Sequence, residues 1–458
     1  MATAALASQE RLPWRGHVAA TLKLGLPLIG AQIAQIAIAT TDTVMIGWLG
    51  ARELAASVLG VQGFFVALML GSGFALAVMP LVAQAQGAGD VRSARRATRM
   101  GLWIVALYAV VMMLPLWNFE ALLVALGQDP HLSAQAADYL RIMQWSLFPA
   151  LFTFTLRSFL SAIERPRMVL VATVLAAVLN GFANYALIFG NWGAPALGLR
   201  GAAIASVLSS TLSFTLLWAY AMWTPAIRRF EIHVRLWRAD WPVFGEVLHL
   251  GWPISLTIIA EVALFAAASI LIGWVGPVAL AAHGIALQLA SLAFMVPLGL
   301  SSAATIRVGR ALGAGEYVDL RRAAVSVLIL AVAFMALSAT AFLAVPEPLT
   351  WLFLDAAKPD AAQVAAYAVG LLAVAATFQL VDGVQVVATG LLRGLKDTRV
   401  PMTIAVFSYW VAGMPLAYVL AFPAGLGGVG VWFGLAAGLA FAAVLLTARF
   451  FWKAARYH

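Results

Sequence analysis

Three carboxylates sit inside apolar stretches of membrane-spanning length: Asp42, Glu261 and Asp382. A charge at that depth costs roughly 2.5–3.5 kcal/mol on insertion scales, so each is a candidate for function. No Lys or Arg lies at comparable depth along the chain to pair with them. An acid without a partner in a low dielectric either holds a proton or recruits a cation. That chemistry suits a proton or Na⁺ site, or a counter-charge for a cationic ligand. The bland alternative is a protonated carboxyl hydrogen-bonded to a neighbouring helix. Amides accompany the acids: Gln32, Gln35 and Gln62 in the first half, Gln288, Gln379 and Gln385 in the second. Such residues line a wet cavity or tie helices together, and Asn180 and Asn184, one turn apart, have the same alternative.

The stretches that position these groups are copies of one another. Residues 24–97 laid over 250–323 without a gap agree at 26 of 74 positions, sharing LG-x-P, IGW-x-G and GAG followed by RRA. Chance apolar likeness would not keep Gly and Arg in register over that length. The offset of 226 places Glu261 opposite Gln35 and makes Gln62 and Gln288 equivalent. The second copy therefore carries a midspan acid where the first has an amide. Pro27 and Pro253 also match; either one, if well inside its helix, marks a bending point.

With 63% hydrophobic and 10% charged residues, the chain is too apolar for a soluble globule, where charged residues run near ~25%. Spanning-length runs fall at about 22–48, 54–83, 97–117, 134–160, 167–190 and 199–223, then 248–274, 279–306, 323–345, 361–392, 400–422 and 428–452. The expected fold is all-α and integral to the membrane: twelve transmembrane helices in two six-helix lobes. An even number of spans per copy gives both lobes the same orientation, so they relate by a pseudo-two-fold axis along the membrane normal. The N-terminal lobe takes residues 1–223, a cytoplasmic linker 224–247 and the C-terminal lobe 248–458.

The +9 net charge forms no patch of the kind that binds nucleic acid. Instead the basic residues recur in alternate loops, at 92–99, 165–167, 228–238, 307–322 and 393–399. Arg11, Arg15 and Lys23 lie at one end, and Arg449, Lys453 and Arg456 at the other. The intervening loops hold only Arg52, Arg200 and Lys358. By the positive-inside rule both termini are cytoplasmic. The first 21 residues have no signal-peptide h-region, so the run that follows is expected to stay as the first span.

Other chemistries lack their residues. There is no cysteine, no GxxxxGK[ST] loop and no HExxH, which removes thiolate metal sites, a built-in nucleotide motor and a zincin. Ser301 faintly resembles an intramembrane protease nucleophile, but His283 is 18 residues away, about 27 Å along one helix. An enzyme is not expected, nor any cofactor beyond a coupling ion.

Together these segments resemble a known family. The duplicated halves, TTDTVMIG around Asp42, ALAAHGIALQL after the seventh span and VDGVQVVATGLLRGLKDTRVPM around Asp382 are similar to the multidrug and toxic compound extrusion (MATE) transporters, nearest their NorM-like branch. The resemblance covers nearly the whole chain. It implies a V-shaped cavity between two lobes and export of small-molecule organic cations from the cell (inner) membrane, by alternating access and exchange for Na⁺ or H⁺. It also implies that Glu261 and Asp382 form the coupling-cation site, the metal site if the ion is Na⁺. Asp42, with Gln35 and Gln288, would serve as a secondary proton or substrate site. Phe378 departs from relatives that offer a Tyr hydroxyl one turn before the tenth-span acid, which removes an oxygen ligand for Na⁺. Asp355 is expected at the outer mouth. The partners expected are organic cations and the bilayer, and the protein is expected to be a monomer. Two rival readings stand beside this one: a lipid-linked oligosaccharide flippase of the same superfamily, and coupling by H⁺ alone through Asp42.

Overall fold

The computed structural model describes residues 13–457, so Arg11 lies outside the described residues. Among the described residues eleven helices are long and apolar enough to cross a membrane. In a bilayer a span must satisfy its own backbone hydrogen bonds, and these long apolar runs do so as helices. The first six spans are α1 (Trp14–Gly47), α2 (Ala51–Gly87), α3 (Val91–Trp117), α4, α5 (Pro166–Phe189) and α6 (Leu199–Trp223). The second six are α7 (Trp241–Val275), α8 (Pro277–Ala314), α9 (Tyr317–Ala344), α10 (Ala361–Gly394), α11 (Arg399–Ala421) and α12 (Gly427–Ala454). The twelfth crossing, α4, is Pro130–Met143 and Leu147–Ala162 joined through a 3₁₀ turn at Gln144–Ser146. The expected twelve spans in two lobes are all present.

The helices overrun the apolar windows. α1 starts at Trp14 and α7 at Trp241, so residues 241–247 of the expected linker are helical. Pro27 and Pro253 consequently sit deep inside their helices, not at their entries. The duplication reaches the turns: Gly50 and Gly276, each between the first two helices of its lobe, have φ of 149° and 147°, a region closed to residues with a Cβ.

The lobes meet through α1 and α2 of one and α7 and α8 of the other, and the contacts repeat symmetrically. A Cβ built on Gly251 would lie 2.8 Å from the Cα of Phe74, while the equivalent Gly25 faces Leu300, the equivalent of Phe74. Nearer the arginine-rich face, Gly87 abuts the Arg310 carbonyl and Gly313 abuts that of Gln84, again an equivalent pair. Such reciprocal contacts are what a two-fold relation between lobes requires. Direct interlobe hydrogen bonds among the described residues run from Ser255 Oγ on the Leu70 carbonyl (2.6 Å) to Gln84 Nε2 on the Gly394 carbonyl (2.8 Å). With Arg310–Glu164 and the Arg307–His17 contact (2.7 Å), they close that face.

The linker is ordered. Its Phe230 and Ile232 are buried in the N-terminal-lobe core. Arg99 and Trp103 of α3 donate to the carbonyls of Val234 (3.0 Å) and Leu236 (2.7 Å). Arg95 pairs with Glu231, and Arg96 with Asp240, whose carboxylate also accepts from Val243 N–H at the start of α7.

Candidate functional site

In the C-terminal lobe, α7 carries Glu261 half-buried and α10 carries Asp382 almost fully buried, at 4% exposure. The fold brings the two carboxylates into direct electrostatic interaction. Gly383 is packed so tightly on α9 that a Cβ there would come within 2.6 Å of Met335, which fixes the rotation of α10 and hence the direction of Asp382.

A third helix completes the group. α11 contains a π-helical stretch, Phe407–Gly413, of the kind often found at functional sites. The stretch seats Trp410, whose indole N–H donates to the Ala260 carbonyl (3.2 Å) beside Glu261. It also drives Tyr409 into the core with a hydroxyl that interacts with both acids. Arg393, at the end of α10, reaches Glu261 as well. Arg393 is not at the depth of the acids, being eleven residues and about 16 Å along the helix from Asp382, yet Glu261 lies within its electrostatic reach. By formal charge the two acids and Arg393 sum to minus one.

The polar atoms around Asp382 are unusually short of partners. Asp382 Oδ1, both amide atoms of Gln379, Gln385 Oε1 and the Tyr409 hydroxyl are buried without a hydrogen bond. Gln379 and Gln385 stand one turn to either side of Asp382 and share its face. Buried polar atoms are normally satisfied, so this cluster has the capacity to hold a bound ion or ordered water. The available donors are hard oxygens, which suit a small hard cation. Among the described residues no three acidic, His or Cys side chains come together. Phe378 fills its position with packing, edge-on to Trp432 (5.2 Å) and Phe265 (6.1 Å). The hydroxyl missing there is matched by Tyr409 from α11.

Asp42 occupies a separate site in the N-terminal lobe. Its carboxylate accepts from Asn184 Nδ2 (2.5 Å) and Ser206 Oγ (3.2 Å), and Asn184 also donates to Asn180 Oδ1 (3.2 Å). Tyr139 of α4 is an electrostatic neighbour, with a buried hydroxyl that has no partner. The asparagine spacing is visible in the sequence; Ser206, Tyr139, Tyr409 and Arg393 as site residues are not.

The remaining candidates are placed apart from both acids. Gln62 is eleven residues from Gly73 and Gln288 eleven from Gly299, three turns and nearly the same helix face. Both glycines face the opposite lobe, and the two glutamines are exposed on nearly the same faces of their helices. Gln35 is exposed on α1, two turns before Asp42 on nearly the same face. Asp355 lies in an exposed turn, where its carboxylate accepts from Ala357 N–H (3.0 Å). His283 is held between Ser269 Oγ (3.0 Å) and the Trp432 indole N–H (3.2 Å), a packing role.

Comparison with known proteins fits this geometry. The family model described as MatE matches residues 27–186 and 253–419, one block in each lobe. The probable multidrug resistance protein NorM of Rhizobium meliloti (strain 1021) is 53% identical over 444 residues, 97% of this chain and 95% of the relative. Its counterpart in Agrobacterium fabrum is 52% identical, covering 95% and 94%. Among solved structures, a crystal structure of MATE in complex with MaL6 superposes with a TM-score of 0.87 at 20% identity, over 96% of both chains. The eukaryotic MATE transporter AtDTX14 gives 0.84 at 21% identity, over 97% of this chain and 100% of its own. At such identities the likeness is one of fold.

Proposed function

Because the chain belongs to the MATE family, in its NorM-like branch, and is a multi-pass membrane transporter for multidrug efflux and not an enzyme, we propose that it is a secondary antiporter that exports lipophilic organic cations in exchange for Na⁺ or H⁺, coupled through Glu261 and Asp382. The observation that carries this reading is the carboxylate pair itself, set among unpartnered oxygens with a formal net charge of minus one. One monovalent cation would neutralise it.

Alternating access needs a ligand that prefers one state, since a ligand bound equally by both shifts nothing. Glu261 is six residues, about 9 Å, beyond Ser255, where α7 packs on α2. Pro253 interrupts the helix beside that contact. A change of charge at Glu261 therefore acts on the helix that joins the lobes. The cleft would bind the substrate, with Gln62, Gln288 and apolar walls supplying contacts and the acids selecting positive charge. The basic loops put both termini in the cytoplasm and make the closed face the inner one. The working unit is a monomer in the cell membrane.

A second reading rests on the Asp42 network, which holds a carboxylate ready for a proton or a cation in the first lobe. Purified protein in liposomes, driven separately by a Na⁺ gradient and by ΔpH, separates the two. Glu261→Gln and Asp382→Asn should each abolish ion-driven dye efflux, and Asp42→Asn should weaken it more mildly. Efflux at the unsubstituted rate in both second-lobe variants, with total loss in Asp42→Asn, would move coupling to the first lobe.

A further inference from the structure

On the arginine-rich face a cavity of about 670 Å³ lies between the lobes, bounded by α1, the start of α5 and the facing ends of α8 and α9. Its lining holds five basic residues, Lys23, Arg165, Arg167, Arg307 and Arg310, against three acids, Glu164, Glu316 and Asp319. The surplus is two positive charges. Arg310 is engaged by Glu164, and Arg307 by His17 and Thr21. Lys23, Arg165 and Arg167 are exposed, and their side chains have no hydrogen bond or ion pair among the described residues. They come from two helices, so sequence proximity alone does not gather them. α5 begins at the same cavity without a side-chain cap, and although Pro166 has no N–H, the amides of Arg167 and Met168 add donors for an anion.

Apart from His17 and Tyr220, the rest of the lining is apolar. Leu24, Ile163 and Met168 form the wall beside the basic rim, and Leu26, one turn from Lys23, is exposed on the outside of α1. A small soluble anion has no use for that wall, whereas a headgroup with its acyl chains uses both surfaces. Basic pockets between spans, at the level where helices leave the hydrocarbon, bind anionic headgroups. We propose that this interlobe cavity binds the phosphate headgroup of an anionic phospholipid. Lys23, Arg165 and Arg167 hold the phosphate, and the chain runs along Leu24 and Met168. Because the cavity is walled by both lobes, the bound lipid neutralises cations that face each other across the gap and favours the state closed on this face.

The test uses the full chain in detergent and reads lipid binding without transport, so its outcome is independent of the coupling mechanism. Native mass spectrometry compares phosphatidylglycerol with phosphatidylcholine at equal concentration, and thermal melting adds an arm with inorganic phosphate. The unsubstituted protein should retain phosphatidylglycerol at least tenfold over phosphatidylcholine, and inorganic phosphate should not raise its Tm. Each cation removed should cost about fivefold in phosphatidylglycerol affinity, so Lys23→Gln/Arg165→Gln/Arg167→Gln should bring the two lipids near parity. Arg52→Gln, which removes an exposed cation from the opposite face, should leave the preference intact. A triple variant with unchanged preference would overturn the site. Equal stabilisation by inorganic phosphate would replace the lipid with a small anion and overturn the proposal as well. If the triple variant does not fold, the three single variants carry the same test at about fivefold each.

Discussion

Gly73 of α2 lies against Ser255 of α7 so closely that no side chain fits between them. The same contact recurs with the copies exchanged: Gly299, the equivalent of Gly73, lies against Ile29, the equivalent of Ser255. Two backbones touch at two repeat-related places, a junction that any rotation of one lobe against the other must accommodate.

Gly73→Val tests the junction. Its Cβ would meet the Ser255 backbone, which cannot retract like a flexible side chain. Overpacking of this kind typically costs about 1–3 kcal/mol. The variant should melt several degrees lower and populate a state more open on the arginine-rich face. Ala88 and Ala314 are exposed repeat equivalents on that face, and the chain has no native cysteine. Spin labels on Ala88→Cys and Ala314→Cys should therefore move apart in the Gly73→Val background; an unchanged distance distribution would count against the junction.

Tyr409→Phe separates the candidate ions. The substitution keeps the ring in the core and removes one unpartnered oxygen beside Glu261 and Asp382. Loss of an oxygen ligand should raise the half-saturating Na⁺ concentration for efflux about fivefold or more and leave ΔpH-driven efflux little changed. A larger loss under ΔpH than under a Na⁺ gradient would assign the hydroxyl to proton transfer.

The linker should come loose in acid. The Arg96 guanidinium hydrogen-bonded to Asp240 holds that carboxyl below its ordinary range. A folded pKa below the unfolded value means the stabilisation is complete above the unfolded value, near ~3.9, and is lost as pH falls through the folded one. At neutral pH the clasp should be intact, and Asp240→Asn should weaken it there. The linker carries Arg228, Arg229, Arg235 and Arg238, so trypsin at neutral pH should cut the variant several-fold faster than the unsubstituted protein. Equal cleavage rates would mean that Phe230 and Ile232 hold the linker by themselves.

Orientation rests on charge alone and is open to direct labelling. Single cysteines replacing Arg95, Arg235 or Lys396 should react only from the cytoplasmic side, and those replacing Asp129 or Pro359 only from outside. Labelling of the Arg235 position from outside would invert the protein and put the basic interlobe cavity on the outer leaflet.

Much of the architecture is written locally. Twelve apolar runs, the 226-residue offset and the turn glycines Gly50 and Gly276 are properties of short segments, and the bilayer forces each long apolar run into a helix. The three intramembrane acids are legible for the same reason, because the depth of a charge along a span follows from counting residues. Partners across helices are not. Asn184 and Ser206 meet Asp42 only because α5 and α6 pack beside α1, and the rotation of a uniformly apolar helix leaves no period to read. Tyr409 reaches Glu261 and Asp382 through a π-helical stretch, which shifts the register of α11 in a way no 3.6-residue pattern announces. Arg393 reads in sequence as one more loop cation, and only the packing of α7 against the C-terminal lobe brings Glu261 within its reach. Local sequence determined how deep each group lies; tertiary packing decided which way it points, because direction depends on contacts between helices far apart in the chain.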